Sequence, residues 1–353
     1  MSDFLPISPS QLKQELLILM QYNAMAVARG QKRIPAMIWG PSASGKSAIV
    51  DEVIQELGYP SYDFRANLHE PTDLLGFPFV TKQEDNSNVT RPTSDYAPFS
   101  WLPTGNKPEN KNFVIKCEEV PNATPDMQAA MYQMTYDFMV GGHALDDTAQ
   151  VILLGNRMED HGNTYDMPEP LKLRMQHFVL ESNIDDFARW ASLNNIYPMI
   201  IAFLRWQPQY LHAIDNDAYT SPTARSWHML SDRLSMPTPN RMLTVQAHVG
   251  IAAARAFLGF EKDFDQIPDM DELLLEPTKA AVPEGALLYA VCSSLIARVS
   301  TTNFAAVITY INRIPPDYQI VFFRDVLKVK PELAEEPPFM DWITRNADIG
   351  NIL

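Results

Sequence analysis

The segment Gly40-Pro41-Ser42-Ala43-Ser44-Gly45-Lys46-Ser47 is the most informative motif in this chain of 353 residues. It satisfies the pattern GxxxxGK[ST], whose glycines allow consecutive backbone N–H groups to point at phosphate oxygens. In such a loop the side chain of Lys46 reaches the β- and γ-phosphates of a nucleotide, and the hydroxyl of Ser47 binds Mg²⁺. The pattern also arises by chance, so the elements that flank it decide its meaning.

The segments on either side of the loop have the periodicity of a strand and of a helix. Residues 34–39 form a short apolar run, as a buried strand does, and residues 47–57 carry apolar side chains at helical spacing until Gly58. A helix that begins near Lys46 also presents the positive end of its dipole to the same phosphates. We therefore predict that residues 40–47 bind ATP together with Mg²⁺.

Strands and helices alternate along the rest of the first half of the chain. Residues 62–65 are predicted to be a second strand, and short apolar runs predict further strands at residues 113–117 and 151–154. Helical spacing predicts helices at residues 11–29 and 126–139. This alternation is typical of an α/β fold, in which helices cover both faces of a parallel sheet.

The pattern changes near residue 184, where strand signals disappear. Long helical stretches follow at residues 185–193, 223–234, 245–258 and 284–299. We therefore predict an α/β nucleotide-binding domain over residues 1–182 and a mainly helical lid and C-terminal region over residues 183–353. Within the first domain, the polar stretch 81–94 is predicted to be an exposed loop or a weak hairpin.

The composition is that of an ordinary soluble globular protein and limits the partners that we expect. Hydrophobic residues make up 46% of the chain and charged residues 20%, and the formal net charge is −15. Because phosphates attract Lys and Arg, this charge argues against nucleic acid or an anionic membrane as a partner, although a local basic groove is compatible with an acidic total. The sequence shows no secretory signal and no apolar run near the roughly 20 residues that span a bilayer, so we expect a cytoplasmic protein.

Two adjacent carboxylates follow the predicted strand at residues 113–117. A P-loop enzyme needs a carboxylate near its metal ion and a base that orients the attacking water. We assign Glu118 to the outer shell of Mg²⁺ and Glu119 to water activation. The alternative is a solvated loop after an edge strand.

Three further polar residues are candidates for the same site. Asn156 follows the predicted strand at residues 151–154, where its amide can hold the attacking water or the γ-phosphate, although an Asn after a Gly is often only a turn. Arg174 and Arg225, the latter at the start of a predicted helix in the second domain, carry guanidinium groups that can stabilise charge on a transferred phosphoryl group. A solvated surface charge is the alternative for each arginine.

The order of these motifs resembles that of the AAA+ ATPases, and in particular the MoxR-like branch related to the dynein AAA modules. The resemblance covers about residues 10–235 and continues more loosely to the C-terminus, where Ile311-Asn312-Arg313-Ile314-Pro315 is similar to prophage-type relatives. Besides residues 39–47, the matching segments are Asp63-Phe64-Arg65, Pro71-Thr72-Asp73-Leu74-Leu75-Gly76-Phe77-Pro78, Glu118-Glu119-Val120-Pro121-Asn122-Ala123, Gln128-Ala129-Ala130, Gly155-Asn156-Arg157, Met167-Pro168-Glu169-Pro170-Leu171, and Ser221-Pro222 with Arg225-Ser226-Trp227.

The resemblance implies an AAA+-type P-loop fold and a role for each of the last three candidates. By resemblance Asn156 is sensor 1, Arg174 is the arginine finger that acts on a neighbouring subunit, and Arg225 is sensor 2. It also implies a homo-oligomeric ring, usually a hexamer, because the finger comes from the next protomer. Members of the family commonly act as ATP-hydrolysing, chaperone-like remodellers beside a partner protein with a von Willebrand factor A domain.

The chain departs from the family pattern at three positions. Glu118 stands where an Asp is usual, Lys116 interrupts an otherwise apolar strand, and Met175 follows Arg174 where an aromatic residue is usual. The longer Glu118 side chain favours slower turnover. An alternative function is therefore a nucleotide-dependent structural switch or scaffold that hydrolyses little ATP. A DNA-loading or helicase-like protein is a third class, against which the acidic total and the lack of a basic cluster argue.

Overall fold

The computed structural model describes residues 5–84, 90–157, 165–215, 217–262 and 267–346. The chain divides into two compact units, Met1–Glu181 and Ser182–Leu353. Each unit has hydrophobic clusters of its own.

The first unit contains a five-stranded parallel sheet and two small antiparallel hairpins. Its strands are β1 (Ala36–Trp39), β2 (Ser61–Arg65), β3 (Phe77–Glu84), β4 (Thr90–Ala97), β5 (Val114–Glu118), β6 (Met139–Val140), β7 (His143–Ala144), β8 (Gln150–Gly155) and β9 (Gln176–Val179). The sheet has the order β2-β5-β8-β1-β9, and every neighbouring pair is parallel. This order puts β1, which leads into the GxxxxGK[ST] loop, directly beside β8.

Fourteen α-helices lie among the described residues, five in the first unit and nine in the second. The first five are α1 (Pro9–Ala28), α2 (Lys46–Leu57), α3 (Pro71–Leu75), α4 (Pro125–Tyr136) and α5 (Glu169–Lys172). The others are α6 (Ile184–Leu193), α7 (Pro198–Trp206), α8 (Ala224–Leu234), α9 (Arg241–Lys262), α10 (Met270–Leu275), α11 (Leu287–Arg298), α12 (Phe304–Ile311), α13 (Pro316–Val329) and α14 (Pro337–Arg345). No strand occurs among the residues of the second unit that the structure describes. The predicted architecture, a parallel α/β sheet flanked by helices and followed by a mainly helical region, is confirmed.

Both faces of the sheet are covered, which explains why its central strands are apolar runs rather than alternating patterns. On one face, α1 and α2 pack on a cluster that includes Ile38, Ile152 and Leu154. On the other face, the fully buried Met127 and Met131 of α4 pack against the sheet. The methionines of α4 are therefore core residues.

Local signals set the ends of the elements that frame the site. Ser8 accepts a hydrogen bond from the N–H of Gln11 and starts α1 with a capping box. Strand β9 is not predicted by the sequence patterns, because Gln176 and His177 break the apolar run. It forms because its backbone pairs with β1 along the whole length of both strands.

The polar stretch 81–94 lies within an antiparallel hairpin of β3 and β4, which pair from Phe77↔Ala97 to Glu84↔Thr90. The hairpin is longer than the sequence predicts, and residues 85–89 lie outside the described part. Its exposed side chains include Phe79 and Val80.

The second unit buries its own charged cluster. The guanidinium of Arg205 in α7 pairs with Asp325 of α13 and, at 3.0 Å, with Asp185 of α6. Arg205 and Asp325 are both almost inaccessible to solvent, with 6% and 8% of their side chains exposed. The pairing therefore satisfies charges that would otherwise be costly to bury.

One described helix, α9, is long and apolar enough by length and composition to cross a membrane, contrary to the expectation that no such run exists. Gly250, with φ 77° and ψ 166°, interrupts its helical backbone. Its Val249, Phe257 and Phe260 are buried in the core of the second unit. These contacts show that the apolar face of α9 packs in the core of the second unit.

Candidate nucleotide-binding site

The loop of residues 40–47 lies between β1 and α2, as the sequence predicts. Gly45 caps α2 with φ 97°, a left-handed backbone that a side chain would disfavour. Ala43 also has a positive φ, of 59°. Alternation of such conformations with right-handed ones makes a concave row of N–H groups of the kind that binds anions.

The start of α2 adds donors to this loop. The N–H of Ile49 bonds to the C=O of Gly45 and makes the first turn of the helix. The N–H groups in the first turn of an α-helix have no acceptor in a preceding turn of that helix, and the helix dipole places positive charge at the same end. Ser44 Oγ is buried and has no hydrogen-bond partner among the described residues. A phosphate oxygen would satisfy such groups, so the loop fits a nucleotide phosphate.

The side chain of Lys46 connects the loop to the end of β8. Its Nζ donates to the backbone oxygens of Gly40 (2.7 Å) and Pro41 (2.9 Å), and to Asn156 Oδ1 (2.9 Å). Asn156 Nδ2 in turn donates to Ser42 Oγ at 2.9 Å. Both Lys46 and Asn156 are buried. The structure thus brings together two residues that are 110 positions apart and were both predicted as site residues.

Glu118 and Glu119 lie at the C-terminal end of β5, which is the direct neighbour of β8, the strand that leads into Asn156. Glu118 is the last residue of β5, and its Oε1 lies 3.7 Å from Lys116 Nζ. Glu119 adopts φ 57° and ψ 34°, an uncommon left-handed backbone for a residue with a side chain. Backbone strain of this kind concentrates at functional sites. The neighbouring Glu118 and Glu119 thus differ in backbone conformation.

A close contact joins the Glu119 turn to the strand that carries Asn156. A Cβ atom added to Gly155 would lie 2.2 Å from Cδ of Pro121, two residues beyond Glu119. Only glycine therefore allows β8 and this turn to approach so closely. The contact fixes Glu119 and Asn156 relative to each other.

We expect Gly155→Ala to destabilise the protein by about 1–3 kcal/mol, because the methyl group overpacks the contact with Pro121. The matched control is Gly259→Ala in α9, where an added Cβ meets nothing within 4 Å. That change should leave stability unchanged or slightly increased. Thermal unfolding followed by circular dichroism measures both. Equal melting temperatures for Gly155→Ala and the unchanged protein would show that the turn containing Pro121 can move aside without loss of stability.

Arg174 lies just beyond α5 and is partly exposed. Its Cζ lies 4.5 Å from the ring centroid of Tyr136 and 5.5 Å from that of Tyr132, both on α4. These cation–π contacts hold the guanidinium at the surface of α4. The described contacts of Arg174 are thus with α4, whereas those of Lys46 are with the loop and Asn156.

His177 ties the segment before Arg174 to the strand before the loop. Trp39 Nε1 donates to His177 Nδ1 at 2.8 Å, and His177 Nε2 lies 2.7 Å from the backbone oxygen of Lys172. A tautomer with the proton on Nε2 satisfies both contacts. The sequence pattern gave His177 no such role, because its partner Trp39 is 138 positions away in the chain.

Arg225 lies in the first turn of α8, in the second unit, and is exposed. The helix start is fixed by Thr223, whose hydroxyl accepts the N–H of Ser226. The role of Arg225 as sensor 2 stays a prediction.

No protein-family model matches the chain, and no curated protein matches it. Solved structures are similar to it. The RuvB Holliday junction branch migration motor of Thermotoga maritima is 16% identical over 81% of both chains, with a TM-score of 0.39, and a mutant of that RuvB is 15% identical over 81% of both chains, with a TM-score of 0.40. NtrX from Brucella abortus, in complex with ADP, is 14% identical over 97% of this chain and 72% of that chain, with a TM-score of 0.35. These similarities are remote, and the site stands on the residues of this chain.

Proposed function

We propose that this protein binds ATP with Mg²⁺ at residues 40–47 and hydrolyses it as an AAA+-type ATPase. The observation that carries the proposal is the hydrogen-bonded chain from Lys46 through Asn156 to Ser42, at the edge of the sheet where β1 and β8 end. It places a cation, an amide and a hydroxyl together beside the N-terminus of α2. This is the donor set that a triphosphate requires.

Each residue of the site has a proposed task. Lys46 and the N–H groups of the loop hold the β- and γ-phosphates, and Arg225 contacts the nucleotide as sensor 2. Ser47 and Glu118 hold Mg²⁺, which when bound neutralises charge that develops on the phosphates. Asn156 positions the attacking water, and the carboxylate of Glu119 accepts its proton as the water attacks the γ-phosphorus.

The remaining part of the proposal concerns assembly. Arg174 acts as the arginine finger for a neighbouring subunit, so the working form is a homo-oligomeric ring, usually a hexamer in the family. The partly exposed position of Arg174, outside the cluster formed by Lys46 and Asn156, supports a role in trans. In this form the stacking on Tyr136 presents the guanidinium at the surface.

The order of motifs supports a finer assignment to the MoxR-like branch. On that assignment, the protein is a cytoplasmic, chaperone-like remodeller of a partner protein with a von Willebrand factor A domain. The net charge of −15 makes nucleic acid and anionic membranes poor partners.

A specific contact favours a second candidate function. Glu118, the proposed metal ligand, lies 3.7 Å from the ammonium of Lys116, a competing cation. Weak metal binding at this carboxylate would suit a nucleotide-dependent switch or scaffold that assembles with ATP and hydrolyses it slowly. Steady-state ATPase rates of the purified protein, alone and with candidate partners, separate a motor from a switch.

Replacement of Glu119 tests the hydrolytic role. We expect Glu119→Gln to bind ATP with nearly unchanged affinity and to lose about 10²- to 10⁴-fold in turnover, because the amide keeps the shape and lacks the base. Phosphate release measures turnover, and equilibrium binding of ATP measures affinity. The matched control is Glu109→Gln, at an exposed position of the same unit, which should keep the original rate. If Glu118→Gln blocks turnover while Glu119→Gln leaves it intact, the two carboxylates have exchanged roles.

A further inference from the structure

Lys116 is a buried lysine in the middle of the parallel sheet. It lies at the third position of β5, and only 1% of the residue is exposed. An ammonium group in such a position is costly unless opposite charges and hydrogen bonds compensate it. The groups around the Lys116 ammonium therefore determine how its charge is compensated.

Three carboxylates from three elements surround the Lys116 ammonium. It hydrogen-bonds to Asp51 of α2, it pairs at 3.0 Å with Asp63 of β2, and it lies 3.7 Å from Oε1 of Glu118. Asp63 is also its register partner across the sheet. The hydrogen bond to Asp51 and the ion pair with Asp63 compensate the charge of the buried ammonium.

The three carboxylates differ in their access to water. The side chains of Asp51 and Asp63 are 57% and 54% exposed, whereas that of Glu118 is 16% exposed. Solvent screens the charges of the two aspartates well and that of Glu118 poorly. Asp51 and Asp63 lie closer to the ammonium, but the charge of Glu118 is the least screened of the three. The positive charge of Lys116 therefore also acts on Glu118 across 3.7 Å, two positions along the same face of the strand.

We propose that Lys116 is a positioning residue that occupies Glu118 as a built-in counter-ion, and that it thereby sets how much Mg²⁺ the nucleotide site needs. This inference rests on the proposed function, with Glu118 in the outer shell of Mg²⁺. The ammonium competes with the metal ion for the same carboxylate and also repels it. Without Lys116, three carboxylates would remain near the site and attract a divalent cation more strongly.

The test is equilibrium binding of a fluorescent, non-hydrolysable ATP analogue, titrated with MgCl₂. For Lys116→Met we expect the half-saturating Mg²⁺ concentration to fall about tenfold relative to the unchanged protein. Met has a similar length and needs no counter-ion, and the two exposed aspartates stay hydrated, so the fold should tolerate it. Lys116→Arg keeps the charge and should stay within about twofold of the unchanged protein.

Two controls isolate the contact with Glu118. Lys13→Met removes another lysine that pairs with carboxylates of α2, Glu52 and Glu56, and should leave the Mg²⁺ midpoint unchanged. In a Glu118→Gln background, Lys116→Met should shift the midpoint by less than about twofold, because the coupled partner is gone. A full tenfold shift in that background would overturn the inference, since Lys116 would then act without Glu118.

The remaining outcomes are equally decisive. An unchanged or higher midpoint in Lys116→Met overturns the inference and leaves the proposed function standing. If Lys116→Met does not fold, Asp63→Asn takes its place. Asp63→Asn removes one of the carboxylates that neutralise the Lys116 ammonium. The half-saturating Mg²⁺ concentration should therefore rise about threefold. If it does not rise, the inference is overturned. If the unchanged protein binds no analogue at any Mg²⁺ concentration, the proposed function fails, and this inference fails with it.

Discussion

Replacement of Lys46 by alanine is expected to abolish ATP binding. The ammonium of Lys46 lies within the loop, where it contacts the backbone oxygens of Gly40 and Pro41 and the amide of Asn156. The loop, residues 40–47, contains no other basic residue that could take over its contact with the β- and γ-phosphates. Loss of two or more charge-assisted hydrogen bonds corresponds to an affinity loss of more than about 100-fold.

Isothermal titration calorimetry with ATP and MgCl₂ measures this effect. Lys13→Ala is the matched control, because Lys13 also contacts α2 and pairs there with Glu52 and Glu56. It should bind ATP as the unchanged protein does. Far-UV circular dichroism must show that Lys46→Ala is folded. A folded Lys46→Ala protein with undiminished affinity would remove the loop from the nucleotide site.

Replacement of Arg174 by alanine is expected to keep ATP binding and to lose hydrolysis. A finger stabilises the charge of the transition state, so its loss lowers turnover far more than affinity, by about 10³- to 10⁵-fold in enzymes of this kind. The alternative is that Arg174 only stacks on Tyr132 and Tyr136. Such stacking is worth about 0.5–1 kcal/mol at an exposed site, and its loss should barely change turnover. The control is Arg29→Ala, an exposed arginine beyond α1.

Mixed assemblies decide whether Arg174 acts on a neighbour. Subunits with Arg174→Ala have intact loops, and subunits with Lys46→Ala have intact fingers. In a mixed ring the second kind can serve the first, so a mixture of two inactive proteins should regain part of the activity. Native mass spectrometry verifies that mixed rings form. Mixed rings that stay at the activity of the separate variants would show that no neighbour supplies the finger.

Much of the fold follows from short-range patterns in the sequence. Strands β1, β5 and β8 are mainly apolar because helices cover both faces of the sheet, whereas β2, at one end of the sheet, buries only Phe64. All four strands were predictable within two residues of their observed bounds. Strand β9 has polar residues at Gln176 and His177, and only its pairing with β1 makes it a strand. Such pairing depends on the whole sheet and leaves no local signal.

The candidate site is predictable in its residue types and less so in its contacts. In a parallel α/β sheet, ligands bind at the carboxyl ends of the strands. Glu118 and Asn156 stand at the ends of predicted strands, so the sequence alone could identify them as candidates for the site. The hydrogen bond from Asn156 to Ser42 needs the strand order, which places β8 beside β1. The position of Lys116 between Asp51 and Asp63 needs the register of β2 on β5. The sequence shows Lys116 only as an interruption of an apolar run.

Amide hydrogen exchange in the presence and absence of ATP and MgCl₂ tests the central claim most directly. If the nucleotide is held by the loop at residues 40–47, the amides of this loop and of the first turn of α2 should become strongly protected. The segments around Glu118–Glu119 and Asn156 should gain protection as well, and Lys46→Ala should abolish all of these changes. Protection confined to other parts of the chain, or equal protection in Lys46→Ala, would contradict the assignment of this loop as the nucleotide site.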